Sequence, residues 1–241
     1  MKFTPRLQQA TLIRRYKRFL ADVVLPDGSL ETLHCPNTGA MLGCAAAGSR
    51  VWYSRSVSPT RKYPCTWELV EVESGHLAGI NTGLANRLVE EALLAGGLAP
   101  LQGYAVLQRE VRCGDENSRI DFLLSGHAER PGDACYVEVK SVTLGLGNGI
   151  GAFPDAVTAR GARHLRELVA LRRQGHRAVL LFCVQHGGIE RVRPAFEIDP
   201  VYARTLQEAQ ESGVELLAWR ARLNPEEILL DTQVPVFLEG P

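Results

Sequence analysis

Three charged side chains stand at spacings that would bring them together on one β-sheet. Asp121 lies in the largely apolar run of residues 119–124, and Glu138 and Lys140 follow in a second such run, residues 136–140. Both runs predict strands, because apolar residues alternate with or surround the few charged ones. Residues two apart in a strand point to the same face, so Glu138 and Lys140 share a face. If the two strands pair, Asp121 lies beside Glu138.

Two carboxylates and an ammonium in one place predict phosphodiester chemistry. The carboxylates of Asp121 and Glu138 would supply hard oxygen ligands for Mg²⁺ or Mn²⁺, with water and substrate phosphate completing the shell. The ammonium of Lys140 would hold an attacking water or balance the charge that builds on a phosphate. The same three residue types also occur by chance on the solvated face of an antiparallel sheet. The neighbouring elements decide between these interpretations.

The neighbouring sequence predicts a sheet that helices cover. Its periodicities predict, in order, a helix over residues 84–94, strands over 104–111, 119–124 and 135–144, a helix from Pro154 to about Gln174 with Asp155 capping its first turn, a strand over 177–184, a helix over 199–212 and a last strand over 214–219. Strands joined by long helices predict parallel pairing with helices packed on the sheet. A charged cluster inside such a sheet is costly unless it is paired or coordinated, which favours the metal site.

The two helices that flank these strands offer further site residues. Glu91 lies at the inner edge of the first helix's apolar stripe, whereas Glu90 points about 100° away, toward solvent. Glu91 is therefore the candidate helix acid, with two ordinary surface glutamates as the alternative. Arg160 and His164 lie one turn apart in the helix that follows the Lys140 strand. Arg160 would hold a phosphate and His164 would orient a water or the DNA; a surface Arg–His pair is the alternative.

The first third of the chain is basic, and its sequence predicts short strands. Residues 1–80 carry 10 Lys and Arg against 6 Asp and Glu, whereas residues 81–241 carry 17 against 21. Strands predicted over residues 16–25, 29–35, 50–55 and 66–73 fit a small OB-type barrel, which binds single strands through basic grooves and aromatic platforms. The candidate DNA contacts are Arg14, Arg15, Lys17, Arg18, Arg61 and Lys62. Tyr16, Tyr63 and Trp67 are candidate stacking faces, although a place in the barrel core suits such aromatics better.

Two glycine-bearing loops complete the set of candidate motifs. Residues 34–39 predict either a phosphate contact through backbone N–H groups or a structural turn with Gly39 at positive φ. Residues 145–152 contain a G-x-G-x-x-A match, so a dinucleotide-dependent oxidoreductase is a third function to weigh. Pro154 begins the next helix too late for the tight turn of such a fold. The second loop is therefore interpreted as a mobile lid beside the site.

Composition indicates a folded cytoplasmic protein. The 241 residues are 45% hydrophobic, enough for one large or two small domains. No run of 18 apolar residues predicts a membrane span, and the N-terminus lacks the apolar segment of a secretory signal. The six cysteines form no Cys-x-x-Cys pair, which argues against a zinc site. Cys135 and Cys183 lie in apolar strands and are expected to be buried thiols.

Several longer motifs together resemble the sugar fermentation stimulation protein A (SfsA) family, bacterial and archaeal proteins regarded as DNA-binding. The resemblance covers nearly the whole chain. It rests on RYKRFLADV (residues 15–23), HCPNTGAM (34–41), RKY with TWEL (61–63 and 66–69), SRIDFLL (118–124), CYVEVKSVTL (135–144), FPDAVT (153–158), and RG with HLREL (160–161 and 164–168).

The resemblance implies an α/β (α+β) fold, with an N-terminal OB-like barrel over residues 1–80 and a PD-(D/E)XK nuclease-like αβββαβ domain over residues 81–241. It places the family's acidic site on Asp121, Glu138 and Lys140, with Glu91 as the helix acid. Ile120 stands before Asp121 where the motif's name has proline, a common departure in this nuclease class.

The expected function is DNA binding with a Mg²⁺- or Mn²⁺-dependent nuclease-like site, in a family linked to the regulation of sugar (maltose) utilisation. The alternative is a non-catalytic transcriptional regulator that uses the nuclease fold as a DNA clamp. The expected partner is duplex or single-stranded DNA, a second copy of the chain in a homodimer is a further candidate partner, and no membrane contact is expected.

Overall fold

Strands dominate the secondary structure and build two six-stranded sheets and a small three-stranded one. A computed structural model of the chain describes residues 1–72, 75–113, 118–130 and 132–238. The strands are β1 (Gln8–Tyr16), β2 (Leu20–Val24), β3 (Leu30–His34), β4 (Arg50–Arg55), β5 (Cys65–Glu71), β6 (Leu77–Gly79), β7 (Tyr104–Cys113), β8 (Ser118–His127), β9 (Cys135–Val142), β10 (Leu144–Gly145), β11 (Ile150–Phe153), β12 (Arg177–Val184), β13 (Arg191–Pro194), β14 (Glu215–Leu223) and β15 (Ile228–Gln233). The α-helices are α1 (Ala85–Leu94), α2 (Ala159–Arg173) and α3 (Pro200–Glu211), and short 3₁₀ helices span Thr82–Leu84 and Ala99–Leu101.

The first sheet closes into a five-stranded barrel. Its strands run in the order β3-β2-β1-β4-β5, β6 extends it beyond β5, and β3 meets β5 where His34 pairs with Thr66. Leu12, Val23 and Leu33 point inward and pack in one cluster with Trp67, each at most 1% exposed. Burial of such side chains contributes about 1.5–3 kcal/mol each. The predicted OB-like barrel is confirmed, and Trp67 lies in its core, where it cannot stack on a base.

The hairpin of β1 and β2 differs from the sequence expectation of one strand over residues 16–25. A turn at Lys17 and Arg18 separates the two strands, and both residues have positive φ (48° and 65°). Sequence signals assign such turns to glycine, asparagine or aspartate, so this one carries no recognisable signature. The predicted strand over residues 66–73 corresponds to β5, and its residue 73 lies outside the described residues.

The second large sheet is mixed, in the order β15-β14-β12-β9-β8-β7. Its central strands β9, β12 and β14 are parallel, while β7, β8 and β15 pair antiparallel with their neighbours. Val137 and Val139 of β9 share a buried cluster with Leu88 of α1, and Leu165 of α2 belongs to the cluster on the opposite face. The predicted αβββαβ order and parallel pairing of a PD-(D/E)XK nuclease-like domain are therefore confirmed.

The second helix begins later than the sequence predicts. It starts at Ala159, where the Thr158 side chain caps it by accepting the Gly161 N–H (3.0 Å). Thr158 in turn donates its own N–H to the Asp199 carboxylate (2.8 Å), which fixes the cap. The predicted cap role of Asp155 is wrong, because Asp155 lies before the helix. The strands β6, β11, β13 and β15 were not predicted, and the strand predicted over residues 135–144 is divided into β9 and β10.

Asp155 instead links the second domain to the barrel. Its carboxylate accepts the backbone N–H of Met41 (2.9 Å), and a Cβ added to Gly39 would lie 2.6 Å from its Oδ2. This close approach requires glycine at position 39. Gly39 does not have the positive φ that a structural turn was expected to need.

The chain's first residues lie against the second domain. Phe3 donates its N–H to the Glu226 carbonyl, Leu7 donates to the Pro225 carbonyl, and Lys2 pairs with Glu227. These contacts bring the Met1 ammonium to α1. Within the described part of the chain, the helices are all too short or too polar to cross a membrane.

The expected burial of two thiols is confirmed. Cys135 and Cys183 are both fully buried and free. Burial raises the pKa of each thiol to about 12. Both therefore act as small apolar core residues.

Candidate metal centre and nucleic-acid interface

Strands β8 and β9 separate at the residues that the sequence singled out. Their regular pairing runs from Leu124 opposite Cys135 to Phe122 opposite Val137. One residue farther on, the Asp121 carboxylate accepts the backbone N–H of Val139 (2.8 Å). A side chain thus occupies the gap between two strands, and it anchors Asp121 to the strand that carries the other charged residues.

The second oxygen of Asp121 is held by α1. Asn86 in the first turn of that helix donates its side-chain N–H to Asp121 Oδ1 (2.7 Å). Burial and the nearby Glu138 charge raise the pKa of Asp121 to about 6, although the Val139 and Asn86 hydrogen bonds and the Lys140 charge oppose the rise. Two carboxylates that share a partly buried site resist joint ionisation in this way. A cation between them would remove that cost.

Glu138 has one satisfied oxygen and one unsatisfied oxygen. The residue is 2% exposed, and its Oε1 accepts from Lys140 Nζ (2.6 Å) and contacts His164 Nδ1. Burial disfavours the charged form, but the His164 hydrogen bond and the Lys140 charge outweigh it and lower the pKa of Glu138. Among the described residues, Oε2 is buried without a hydrogen-bond partner. A buried, ionised carboxylate oxygen with no donor is costly and suits a metal ligand.

His164 and Arg160 form a chain of contacts behind Glu138. Arg160 Nε donates to His164 Nε2 (3.3 Å). Because Nε2 is the acceptor, the neutral ring carries its proton on Nδ1 and donates it to Glu138. His164 is only 3% exposed, and its contact with Glu138 places it where it can orient that carboxylate. Arg160 is exposed and remains a candidate phosphate contact.

The structure does not bring Glu91 to this site. The Glu91 carboxylate pairs with the Met1 ammonium (2.7 Å) and with Arg87 (3.1 Å). It lies five residues beyond Asn86, about 140° around the helix, so the two side chains leave different faces. Glu90, one turn beyond Asn86, is half-buried and pairs with Arg109 (3.3 Å). The helix residue that the sequence analysis missed is Asn86, an amide for which an acid was expected.

The predicted basic residues of the barrel divide into two groups. Arg15 donates to the carbonyls of Arg18, Asn37 and Gly39, so it holds the β1–β2 turn and the 34–39 loop together and is not free for DNA. Arg14 is exposed but pairs with Asp22 (2.9 Å). The exposed remainder are Lys17, Arg18, Arg61 and Lys62.

The glycine run of residues 145–152 forms a hairpin. Gly145 of β10 pairs with Gly151 of β11 in antiparallel register, and α2 begins only at Ala159. A dinucleotide site would need a strand that turns directly into a helix. This geometry removes the support for the oxidoreductase interpretation.

The residues present fit a divalent cation that is only partly protein-bound. Within the described residues, no three His, Cys, Asp or Glu side chains cluster as a metal site. Asp121 and Glu138 supply two carboxylates, and Mg²⁺ often takes one or two and completes its shell with water and phosphate. The donor-free Glu138 oxygen and the raised pKa of Asp121 are two costs that a bound cation would relieve.

Comparisons with known proteins agree along the whole chain. The family model for the SfsA N-terminal OB domain matches residues 13–80, and the model for the sugar fermentation stimulation protein RE domain matches residues 83–227. Sugar fermentation stimulation protein homologs are 56% identical in Pseudomonas fluorescens (99% of this chain, 100% of that one) and 55% identical in Thioalkalivibrio sulfidiphilus (99% and 98%). The solved structure of Pyrococcus furiosus SfsA in complex with Ca²⁺ superposes with a TM-score of 0.85 at 28% identity, covering 98% of each chain. The chain belongs to the sugar fermentation stimulation protein A family.

Proposed function

We propose that this protein binds DNA and cleaves its phosphodiester bonds with a divalent cation held by Asp121 and Glu138. The observation that carries the proposal is the pairing of a partly buried Asp121, whose pKa is raised to about 6, with a Glu138 oxygen that lacks a donor. A site with no carboxylate, or with only one, would show neither of these two features. That the Pyrococcus furiosus relative was solved with Ca²⁺ supports a divalent ligand.

The side chains around the carboxylates have separable roles in this proposal. A bound Mg²⁺ or Mn²⁺ would supply Lewis-acid polarisation of a phosphate oxygen and a lowered pKa for water. Lys140, 12% exposed, holds its ammonium at the site by donating to Glu138, where it can offset negative charge on a phosphate. Asn86 and the Val139 N–H orient Asp121. His164 orients Glu138, as partners behind a ligand commonly do.

DNA would reach this site across the barrel. The exposed Lys17 and Arg18 of the β1–β2 turn and the exposed Arg61 and Lys62 before β5 supply charge for phosphates. The net positive charge of residues 1–80 suits a backbone-binding module, with residues 81–241 as the part that carries the site. OB-type barrels hold single strands in this manner.

A non-catalytic DNA clamp is the second candidate, and one observation favours it. Glu91, the residue expected as a third acid, is diverted to the Met1 ammonium. The site is left with two carboxylates and an amide, which is a weaker cation site than three carboxylates. A regulator that binds a cation and DNA without cleavage would retain the same residues.

The test compares the wild type with Asp121→Asn and Lys140→Ala on labelled single- and double-stranded DNA, each with Mg²⁺, Mn²⁺ or no added metal. We expect metal-dependent cleavage by the wild type and its loss in both variants, with DNA affinity nearly unchanged. Lys62→Ala is the matched control, because it removes an exposed lysine of the barrel and should weaken binding while leaving the cleavage of bound DNA intact. If the wild type cleaves neither single- nor double-stranded DNA with either metal, the nuclease function is refuted and the DNA clamp replaces it.

A further inference from the structure

A cavity of about 380 Å³ lies between the barrel and the second domain. Thr143 and His186, which line it, follow the ends of the parallel strands β9 and β12 by one and two residues. The crevice beyond the carboxyl ends of parallel strands is the common ligand position in open α/β sheets. The barrel closes the opposite side with Leu42, Val72 and His76. The volume of the cavity lies in the range of small-molecule pockets.

The walls of this cavity suit a neutral, flat ligand. Among the described residues that line it, all except two histidines are uncharged, and none is a Lys or Arg. An anionic group such as phosphate is normally met by cationic side chains. Leu42, Val72, Ile150 and Ile189 supply apolar surface, while Thr143 adds a hydroxyl. Apolar faces combined with a few hydrogen-bonding groups match a nucleobase that has left its stack.

The two histidines have defined places at this cavity. His186 Nδ1 accepts the Gly188 N–H (3.1 Å), so the neutral ring carries its proton on Nε2. Burial and the neighbouring His76 lower the pKa of His186 to about 4, so the ring is neutral near pH 7. The rings lie 6.4 Å apart, and the exposed His76 stands at the rim, where it can stack on a base.

Glycines let both rings lie against the backbone. A Cβ added to Gly145 would lie 3.0 Å from His186 Nε2, and one added to Gly188 would lie 2.5 Å from His76 Cδ2. Larger residues at either position would push a ring into the cavity. The glycines therefore keep the space open.

The cavity also lies near the two carboxylates. Thr143 lies three residues beyond Lys140 and one residue beyond the end of β9, about 10 Å from Lys140 at the rise of a strand. Thr143 also lines a second, smaller cavity of about 40 Å³ together with Ser141, the residue that follows Lys140. A DNA strand with a phosphate at Lys140 would pass the mouth of the larger cavity within one or two nucleotides.

We propose that this cavity receives one unstacked nucleobase of the strand whose phosphate lies at Asp121, Glu138 and Lys140. The inference rests on the proposed function, because the base and the phosphate belong to the same strand. A free nucleoside presents the same chemistry, so the experiment has one arm for each source.

The first arm measures the affinity of short oligonucleotides by fluorescence anisotropy in Ca²⁺, with one abasic site moved along the strand. Ala46→Trp, at an exposed lining residue, fills the cavity, and Ala47→Trp at the exposed neighbour outside the lining is the matched control. We expect one abasic position to weaken wild-type binding about tenfold, as the loss of one stacked base does. Ala46→Trp should weaken the binding of intact DNA by the same factor. On the oligonucleotide with that abasic site, it should bind as tightly as the wild type does. Ala47→Trp should match the wild type.

The second arm adds free adenosine, guanosine, cytidine and thymidine and follows the His76 and His186 ring signals by NMR. Shifts that Ala46→Trp removes and Ala47→Trp retains support a base site, even if no oligonucleotide binds and the proposed DNA function falls. If every abasic oligonucleotide binds as tightly as intact DNA and no nucleoside shifts either histidine, the inference is overturned. The same holds if Ala47→Trp and Ala46→Trp behave alike.

Discussion

Neutralising Asp121 should stabilise the protein in the absence of metal. The pKa of Asp121 is raised from 3.8 to about 6, so the folded state binds its proton more tightly than the unfolded state. The stability from this group is fully present below the unfolded pKa of about 4, falls as pH rises toward 6, and is absent above it. At about 1.4 kcal/mol per pKa unit, the ionised carboxylate costs about 3 kcal/mol at pH 8.

Asp121→Asn removes that charge and can keep both hydrogen bonds. The new amide oxygen can accept the Val139 N–H, and Asn86 can turn its own amide to accept from the new NH₂ group. We therefore expect urea unfolding in EDTA to show the variant about 3 kcal/mol more stable than the wild type at pH 8. At pH 4 the folded carboxyl is protonated and the unfolded one is about half protonated, so the difference in stability should fall below about 1 kcal/mol.

Asp22→Asn is the control of opposite sign. The pKa of Asp22 is lowered, because hydrogen bonds from Arg14, Thr32 and Tyr16 outweigh its partial burial. Its carboxylate therefore contributes stability above the unfolded pKa that is lost as pH falls, and the variant should be less stable than the wild type at pH 8. An Asp121→Asn protein no more stable than the wild type at pH 8 in EDTA, or a gain that does not shrink in acid, would refute the reasoning. Excess Ca²⁺ should reverse the order, because only the wild type gains full binding energy.

Three further outcomes follow from the same geometry. Calorimetric Ca²⁺ affinity should fall about tenfold per pH unit below pH 6, because Asp121 must release its proton to bind, and a flat profile between pH 4.5 and 6 would contradict this. Replacing Lys17 and Arg18 with Gln should flatten the dependence of log K for DNA on log salt by about 0.7 per residue for single strands or 0.9 for duplex, and an unchanged slope would remove the β1–β2 turn from the interface. Glu91→Gln should lower thermal stability by weakening the Met1 contact while leaving Ca²⁺ affinity unchanged, and a large loss of affinity would return Glu91 to the site.

The strands of the site could be predicted because local patterns determine them. Val137 and Val139 alternate with Glu138 and Lys140, and a strand has no other way to place the two sets than on opposite faces. The long helical periodicities on either side then require parallel central strands. These two rules left the pairing of the Asp121 strand with the Glu138 strand open, and the motifs shared with a known family placed both residues in one site and implied the barrel.

The helix contribution could not be predicted, because contacts between distant parts of the chain decide it. Periodicity places both Asn86 and Glu91 at the margin of the apolar stripe, and an acid is the more familiar metal ligand. The Met1 ammonium, brought to α1 by the pairing of residues 1–7 with residues 225–228, neutralises Glu91 instead. Nothing near position 91 in the sequence signals a partner 90 residues away. The predicted start of α2 at Pro154 was wrong for a related reason, because Asp199 fixes the Thr158 cap from 41 residues away.

Asp155, whose predicted role as a helix cap was wrong, helps to hold the barrel against the domain that carries the carboxylate site. Because Asp155 lies before the helix, its carboxylate accepts the Met41 N–H and lies against Gly39. The side chain of Arg15 donates to the Gly39 carbonyl. Arg15 holds the Arg18 carbonyl as well, so one chain of polar contacts runs from the basic β1–β2 turn to the segment that leads into α2. The same helix carries His164 against Glu138. The β1–β2 turn and Glu138 are therefore connected through hydrogen bonds of Arg15 and Asp155 and through short stretches of the chain.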